Sequence, residues 1–123
     1  MLALCTATAW ASPSEWSVHP PNTLRNQLEY NQWAQEEFGL ADAELNRVWN
    51  ALTSKLRKAE KDALVTAQLK WIEFRDAQAK ATSLAYQGGS IAPYIYSESQ
   101  IVTTRIRTWQ LKQRLDELVR LGH

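Results

Sequence analysis

Apolar residues recur every three or four positions along most of this chain, which is the period of an amphipathic helix. The first such segment covers about residues 23–56, and its second half is the more regular. The apolar or small positions are Leu24, Leu28, Trp33, Ala34, Phe38, Ala41, Leu45, Val48, Trp49, Leu52 and Leu56. The pattern predicts a long first helix with Asn22 or Thr23 as its N-cap, since both residue types are favoured there.

Gly39 lies in the middle of this first helix. A glycine in a helix interior costs about 1 kcal/mol relative to alanine. The apolar stripe keeps its phase across Gly39, which favours one long helix with a bend at this position. Two helices with a break near Gly39 are the alternative.

The second helix is predicted over residues 62–86, after a short connection near residues 57–61 where the apolar phase slips. Its main stripe is Leu64, Ala67, Trp71, Phe74 and Gln78, widened by Leu69, Ile72 and Ala79. We expect Trp71 and Phe74 to anchor this helix in a core. Because the segment lies between two others along the chain, we expect both of them to share its faces.

The run from Gln87 to Ser90 predicts the end of the second helix. Gly88 can adopt the left-handed backbone conformation that closes a helix without steric cost. Ser90 is a candidate N-cap for a third helix, and Pro93 suits the first turn of that helix. The third helix is predicted to reach about residue 120. It carries two adjacent apolar stripes, so we expect it to contact both other helices.

No run has the alternating period of a strand. The sequence therefore predicts an all-α fold, an antiparallel bundle of about three helices over residues 23–120, joined by short loops.

Residues 1–11 are apolar and uncharged and end in Ala9-Trp10-Ala11, which matches the small-x-small rule for signal-peptide cleavage. A basic region is absent and the apolar run is short, so the pattern predicts a truncated signal peptide and export. A disordered cytosolic tail is the alternative. Lipid anchoring through Cys5 is disfavoured, because Leu4 occupies a position where lipidation requires a small residue.

Residues 12–22 contain three prolines and predict a flexible leader. Trp16 and Val18 are candidates to attach this leader to the bundle.

Composition narrows the classes of function. The chain has 123 residues, 45% hydrophobic and 22% charged, which is typical of one folded domain. A net charge of +1 does not favour nucleic acid as a partner. No apolar stretch approaches the roughly 18 to 20 residues of a membrane span.

The reactive side chains are sparse. His19 and His123 are the only histidines and Cys5 is the only cysteine, so an internal disulfide is impossible. This set provides no metal-ligand cluster and no base for a serine or cysteine nucleophile. We therefore expect no catalytic residues, no metal and no cofactor.

The most distinctive polar group is Arg75 with Asp76. Arg75 follows Trp71 by four residues, so its guanidinium can lie on that indole, a contact worth about 0.5 to 2 kcal/mol. Asp76 points about 100° away around the helix, and we expect it to pair with another segment and not with Arg75. These residues form either a recognition patch or a buried aromatic with an inter-helix ion pair.

The ordered set of motifs resembles one known family. It comprises Ala41-Asp42-Ala43-Glu44-Leu45-Asn46, Ala67-Gln68 with Trp71-Ile72 and Phe74-Arg75-Asp76, Gly88-Gly89-Ser90, and Thr104 with Arg107. These residues resemble the DUF1311 domain, the lysozyme inhibitor LprI N-terminal-like family of exported bacterial proteins. The resemblance covers about residues 24–118.

The resemblance implies a small helical domain in the periplasm or cell envelope, or outside the cell. It marks Asp42, Leu45, Asn46, Trp71, Asp76 and Arg107 as a structural signature. The chain departs from the family in its cysteines. Where the family usually has them, this sequence has Leu24 or a neighbour, Trp33, Ala79 and Ser99, which indicates a divergent member that has lost its disulfides together.

The resemblance also implies a function, because the namesake of the family inhibits lysozyme. We expect an exported, non-enzymatic domain whose protein partner is a lysozyme-type muramidase. Blocking a cleft lined by carboxylates requires an arginine or a loop donor, and the candidates are Arg75, Gly88, Gly89 and Ser90. The alternative is a structural or interaction module of the cell envelope without inhibitory activity.

Overall fold

The computed structural model describes residues 13–122. In this range the chain forms a short helical turn, α1 (Pro13–Trp16), and three long helices, α2 (Gln27–Thr53), α3 (Lys58–Leu84) and α4 (Ala92–Arg120). The described residues contain no strand. The prediction of an all-α bundle of three helices is confirmed. The predicted signal peptide over residues 1–11, with Cys5, lies outside the described residues.

The first long helix is uninterrupted across Gly39, so the alternative of two helices broken there is wrong. Gly39 is exposed, and a Cβ added to it would meet nothing within 4 Å. The N-cap is Asn26 and not Asn22 or Thr23, because the Asn26 side chain accepts a hydrogen bond of 2.9 Å from the backbone N–H of Glu29.

The second long helix begins four residues before its predicted start. The backbone N–H of Arg57 donates to Oε1 of Glu60 at 3.1 Å, which is half of a capping box and fixes the start of α3. The charged residues between Lys58 and Asp62 therefore form the first turn of this helix. The connection lies earlier than predicted, at residues 54–57.

The third long helix is the central element. It packs against both α2 and α3, as its two apolar stripes predicted, whereas the backbones of α2 and α3 barely approach each other. The core cluster comes from α2 and α4 and consists of Leu45, Val48, Leu52, Leu111 and Leu118. The expectation that both other helices share the faces of the second helix is therefore wrong. The helix that contacts both others is α4.

The outer position of α3 explains why one predicted anchor is wrong. Trp71 and Leu64 pack against the core cluster, but Phe74 is 55% exposed. Since α3 contacts the bundle along a narrow face, only Ala79 of this helix is buried.

Gly88 has the predicted left-handed conformation, with φ of 89°. It does not close the helix as predicted, because α3 ends at Leu84 with Ala85 as its C-cap, and Gly88 lies further along in the turn between α3 and α4. Pro93 lies in the first turn of α4, also as predicted. Ser90 is not the N-cap, because that position belongs to Ile91. Instead, the backbone carbonyl of Ser90 accepts a hydrogen bond of 3.0 Å from Nδ2 of Asn31 on α2.

The residues before α2 lie against α4. The rings of Trp16 and Trp109 meet edge to face with centroids 6.2 Å apart, and Nη1 of Arg105 donates to the backbone carbonyl of Ser17 at 2.8 Å. Trp16 therefore attaches this segment to the bundle, as predicted. The division of the chain into residues 1–11, 12–22 and 23–120 stays a prediction. None of the described helices combines the length and the hydropathy that a membrane span requires.

Candidate functional site

The guanidinium of Arg75 lies between two aromatic rings. Its Cζ atom is 5.0 Å from the ring centroid of Phe38 on α2 and 5.3 Å from that of Trp71 on α3. The predicted contact with Trp71 is therefore confirmed. Only 11% of the Arg75 side chain is exposed, so most of this cation is shielded from solvent.

Two carboxylates neutralise this cation. Nε of Arg75 donates to Oδ1 of Asp76 at 2.9 Å, and Nη1 lies 3.7 Å from Oδ1 of Asp42 on α2. The same oxygen of Asp76 accepts a hydrogen bond of 3.0 Å from Nε2 of Gln100 on α4. Asp76 therefore contacts another helix as predicted, but the expectation that it avoids Arg75 is wrong, because the flexible arginine side chain folds back along its own helix.

These hydrogen bonds change the acidity of Asp76. Burial raises the pKa of this carboxyl group, but the hydrogen bonds from Arg75 and Gln100 outweigh burial and hold the pKa below its ordinary value. The group around Arg75 thus joins α2, α3 and α4 through charge and aromatic contact.

The Gly88-Gly89-Ser90 corner is exposed and held by its backbone. The N–H of Gly89 donates to the carbonyl of Tyr86 at 3.0 Å, and the N–H of Ala92 donates to the carbonyl of Gly89 at 3.3 Å. These bonds fix the turn itself, and the hydrogen bond from Asn31 to the carbonyl of Ser90 ties it to α2. The loop therefore has a defined shape on the surface.

Large apolar side chains are exposed at the same end of the bundle, and the sequence did not predict this surface. Leu28 is 63% exposed, Leu84 51%, Tyr86 45% and Ile91 38%. We call these four residues with Gly88, Gly89 and Ser90 the corner surface. Large contiguous apolar patches on a protein surface mark interaction sites, so these residues are candidates for contact with a partner. In the sequence, Leu84 and Tyr86 lie beyond Gln78 and Ala79, the last positions of the apolar stripe predicted for this helix.

The structure does not bring Arg75 to the corner surface. Arg75 precedes Leu84 by nine residues of continuous helix, which corresponds to about 13 Å along the axis. Arg75 instead lines a groove of about 230 Å³ between α2 and α3.

The residues of the predicted structural signature gather around this groove. Asp42, Leu45, Asn46 and Trp71 line it, and Nδ2 of Asn46 lies 3.5 Å from Oδ2 of Asp42. Arg107 on α4 also lies over the Trp71 ring, with its Cζ atom 5.9 Å from the ring centroid. Within residues 13–122, no three histidine, cysteine or acidic side chains group as metal ligands would.

Fold and contacts together define a small all-α domain. The charged and aromatic group around Arg75 connects its three long helices, and the exposed turn between α3 and α4 carries apolar side chains. The chain belongs to the lysozyme inhibitor LprI family, whose model matches residues 21–111. The match spans α2, α3 and most of α4, and it confirms the resemblance drawn from the motifs. A relative, an uncharacterized protein of Rhizobium meliloti (strain 1021), is 29% identical over 131 residues, covering 94% of this chain and 91% of the relative. No solved structure matches the chain.

Proposed function

We propose that this protein is an exported, non-enzymatic binding domain that inhibits a lysozyme-type muramidase through its corner surface. Membership of the lysozyme inhibitor LprI family is the observation that carries the proposal. The family match includes the whole turn between α3 and α4, where the corner surface lies.

The corner surface has the properties that insertion into a cleft requires. Gly88 and Gly89 lack side chains, so their backbone can approach a partner closely. The exposed fractions of Leu84, Tyr86 and Ile91 offer apolar area beside this backbone, and burying such area stabilises a complex by roughly 25 cal/mol per Å² before association costs.

Arg75 has a supporting part in this proposal. Its side chain is 11% exposed and already paired with Asp42 and Asp76, so it has little surface left for a partner. We place it as the group that holds α2, α3 and α4 in register beneath the binding surface.

A lysis assay tests the proposal. Purified residues 12–123 are titrated into lysozyme acting on a cell-wall suspension, and saturable inhibition is expected. Tyr86→Asp should weaken inhibition at least about tenfold, because aromatic residues contribute strongly to interfaces and a charge is costly there. Leu69→Asp is the matched control, since Leu69 is also an exposed apolar residue of α3, at 58%, but lies on the groove between α2 and α3.

The outcomes separate the two classes of function. Inhibition that Tyr86→Asp weakens and Leu69→Asp does not supports the corner surface as the contact. No inhibition at high micromolar protein would overturn the proposal and leave a structural or interaction module of the cell envelope. Capture from an envelope fraction would then identify its partner.

A further inference from the structure

Arg107 differs from the other partly buried arginines because it has no carboxylate partner. Arg75 pairs with Asp42 and Asp76, and Arg105 lies 3.4 Å from Glu37. Within the described part of the chain, Arg107 forms no salt bridge and one hydrogen bond, from Nε to Oε1 of Gln68 at 2.9 Å. Burial lowers the pKa of Arg107, as expected for a cation that lacks a counter-ion.

One nitrogen of Arg107 lacks the hydrogen-bond acceptor that a buried donor normally has. Its Nη2 atom is buried and has no hydrogen-bond partner in the described structure. A buried charged donor without an acceptor is costly, so the charge of Arg107 is poorly compensated inside the protein. Nη2 itself is enclosed by the protein, but an anion against the part of the Arg107 side chain that lines a neighbouring pocket would neutralise the cation.

A pocket of about 420 Å³ lies beside Arg107, between the first half of α3 and α4. Its walls are mainly apolar and include Leu52, Leu56, Ala63, Leu64, Ala67 and Leu111. Arg114 also lines it, seven residues further along α4, but Arg114 is paired with Glu117 at 3.1 Å and lies 4.0 Å from Glu60. The pocket therefore combines apolar walls with one cation, Arg107, that has no carboxylate partner.

We propose that this pocket binds a carboxylate carried on a short apolar group, such as the free C-terminus of a peptide that ends in an apolar residue. The uncompensated charge of Arg107 would attract the carboxylate, and a guanidinium group pairs well with a carboxylate. The leucine side chains would surround the apolar group. Glu60 also lines the pocket and repels a second negative charge, which favours a carboxylate over a phosphate. This binding does not depend on lysozyme inhibition.

The test uses N-acetyl-leucine as the probe and N-acetyl-leucinamide, which lacks the charge, as its matched control. Calorimetry on residues 12–123 should detect binding of the acid, and the amide should bind at least about tenfold more weakly. A pentapeptide ending in leucine should bind more tightly than N-acetyl-leucine if the natural ligand is a peptide terminus. Equal or weaker binding of the pentapeptide would assign the pocket to a free small carboxylate.

Arg107→Gln should abolish the preference for the acid, and Arg120→Gln, at an exposed site on the same helix, should preserve it. In the unaltered protein, the Nε–H resonance of Arg107 should shift with the acid and not with the amide, and this measurement does not depend on the variant being folded. Equal affinity for acid and amide, or a preference that survives Arg107→Gln, would overturn the proposal.

Discussion

At the scale of one residue, the guanidinium of Arg75 connects α2 with α3, and its partner Asp76 extends this connection to α4. Arg75 contacts Phe38 and Asp42 on α2, and Trp71 and Asp76 on its own helix. Asp76 in turn accepts a hydrogen bond from Gln100 on α4. Aromatic faces and carboxylates replace the water that a charged group loses on burial. Removing one of these partners should therefore lower stability.

Asp76→Asn is expected to lower the free energy of unfolding by about 1 kcal/mol near pH 7, a value kept small because the Asp76 side chain is 43% exposed. The folded state holds the pKa of Asp76 below the ordinary 3.8, so this stabilisation is fully present above that value. It is lost as the pH falls through the folded pKa. Urea unfolding at pH 7 and near pH 2.5 measures the difference.

Asp62→Asn serves as the control, because Asp62 pairs with Lys58 at an exposed site on the same helix. Its effect at pH 7 should be the smaller of the two. An Asp76→Asn deficit that persists unchanged at low pH would contradict the assigned cause.

The environment of Arg75 shows where prediction from the sequence reaches its limit. Spacing alone predicted the contact with Trp71, because both residues lie on one helix. Spacing says nothing about Phe38 and Asp42, which precede Arg75 by more than thirty positions along the chain. The burial of Arg75 depends on how α2 and α3 meet, and that is decided by packing across the whole bundle.

At the scale of the helix, apolar periodicity predicted which segments are helical and left their ends uncertain. The ends depend on single polar contacts, such as Asn26 accepting from Glu29 and Glu60 accepting from Arg57. These residues do not belong to the apolar pattern. The sequence predicted Gly88, Gly89 and Ser90 of the corner surface but not its apolar residues. Leu84, Tyr86 and Ile91 lie at the ends of two helices, where apolar periodicity carries no information.

The two glycines Gly39 and Gly88 should respond in opposite ways to alanine. Gly39→Ala is expected to stabilise the protein by about 0.5 to 1 kcal/mol, because α2 is continuous there and the added Cβ meets nothing within 4 Å. Gly88→Ala is expected to destabilise it by about 1 to 2 kcal/mol, because φ of 89° is unfavourable for a residue with a side chain. Urea midpoints of the pair compare them directly, and shifts of the same sign would contradict this account.

At the scale of the molecule, α4 holds the bundle together. The core cluster is shared by α2 and α4, and α3 has a single buried residue. The wide apolar face of α4 was readable in the sequence. The outer position of α3 was not, because its own stripe, with Trp71 and Phe74, looked as regular as the others, and only the structure shows Phe74 exposed.

This arrangement predicts that α2 and α3 cannot fold without α4. A fragment of residues 23–87 contains both helices, but their backbones barely approach each other, and isolated helices gain most of their stability from packing. We expect the fragment to show less than about half the helical circular dichroism per residue of the full chain, and no cooperative urea transition. The full chain, measured under the same conditions, should unfold cooperatively. A cooperative transition in the fragment would show that α2 and α3 form a core of their own, and α4 would then be an addition to the bundle and not its centre.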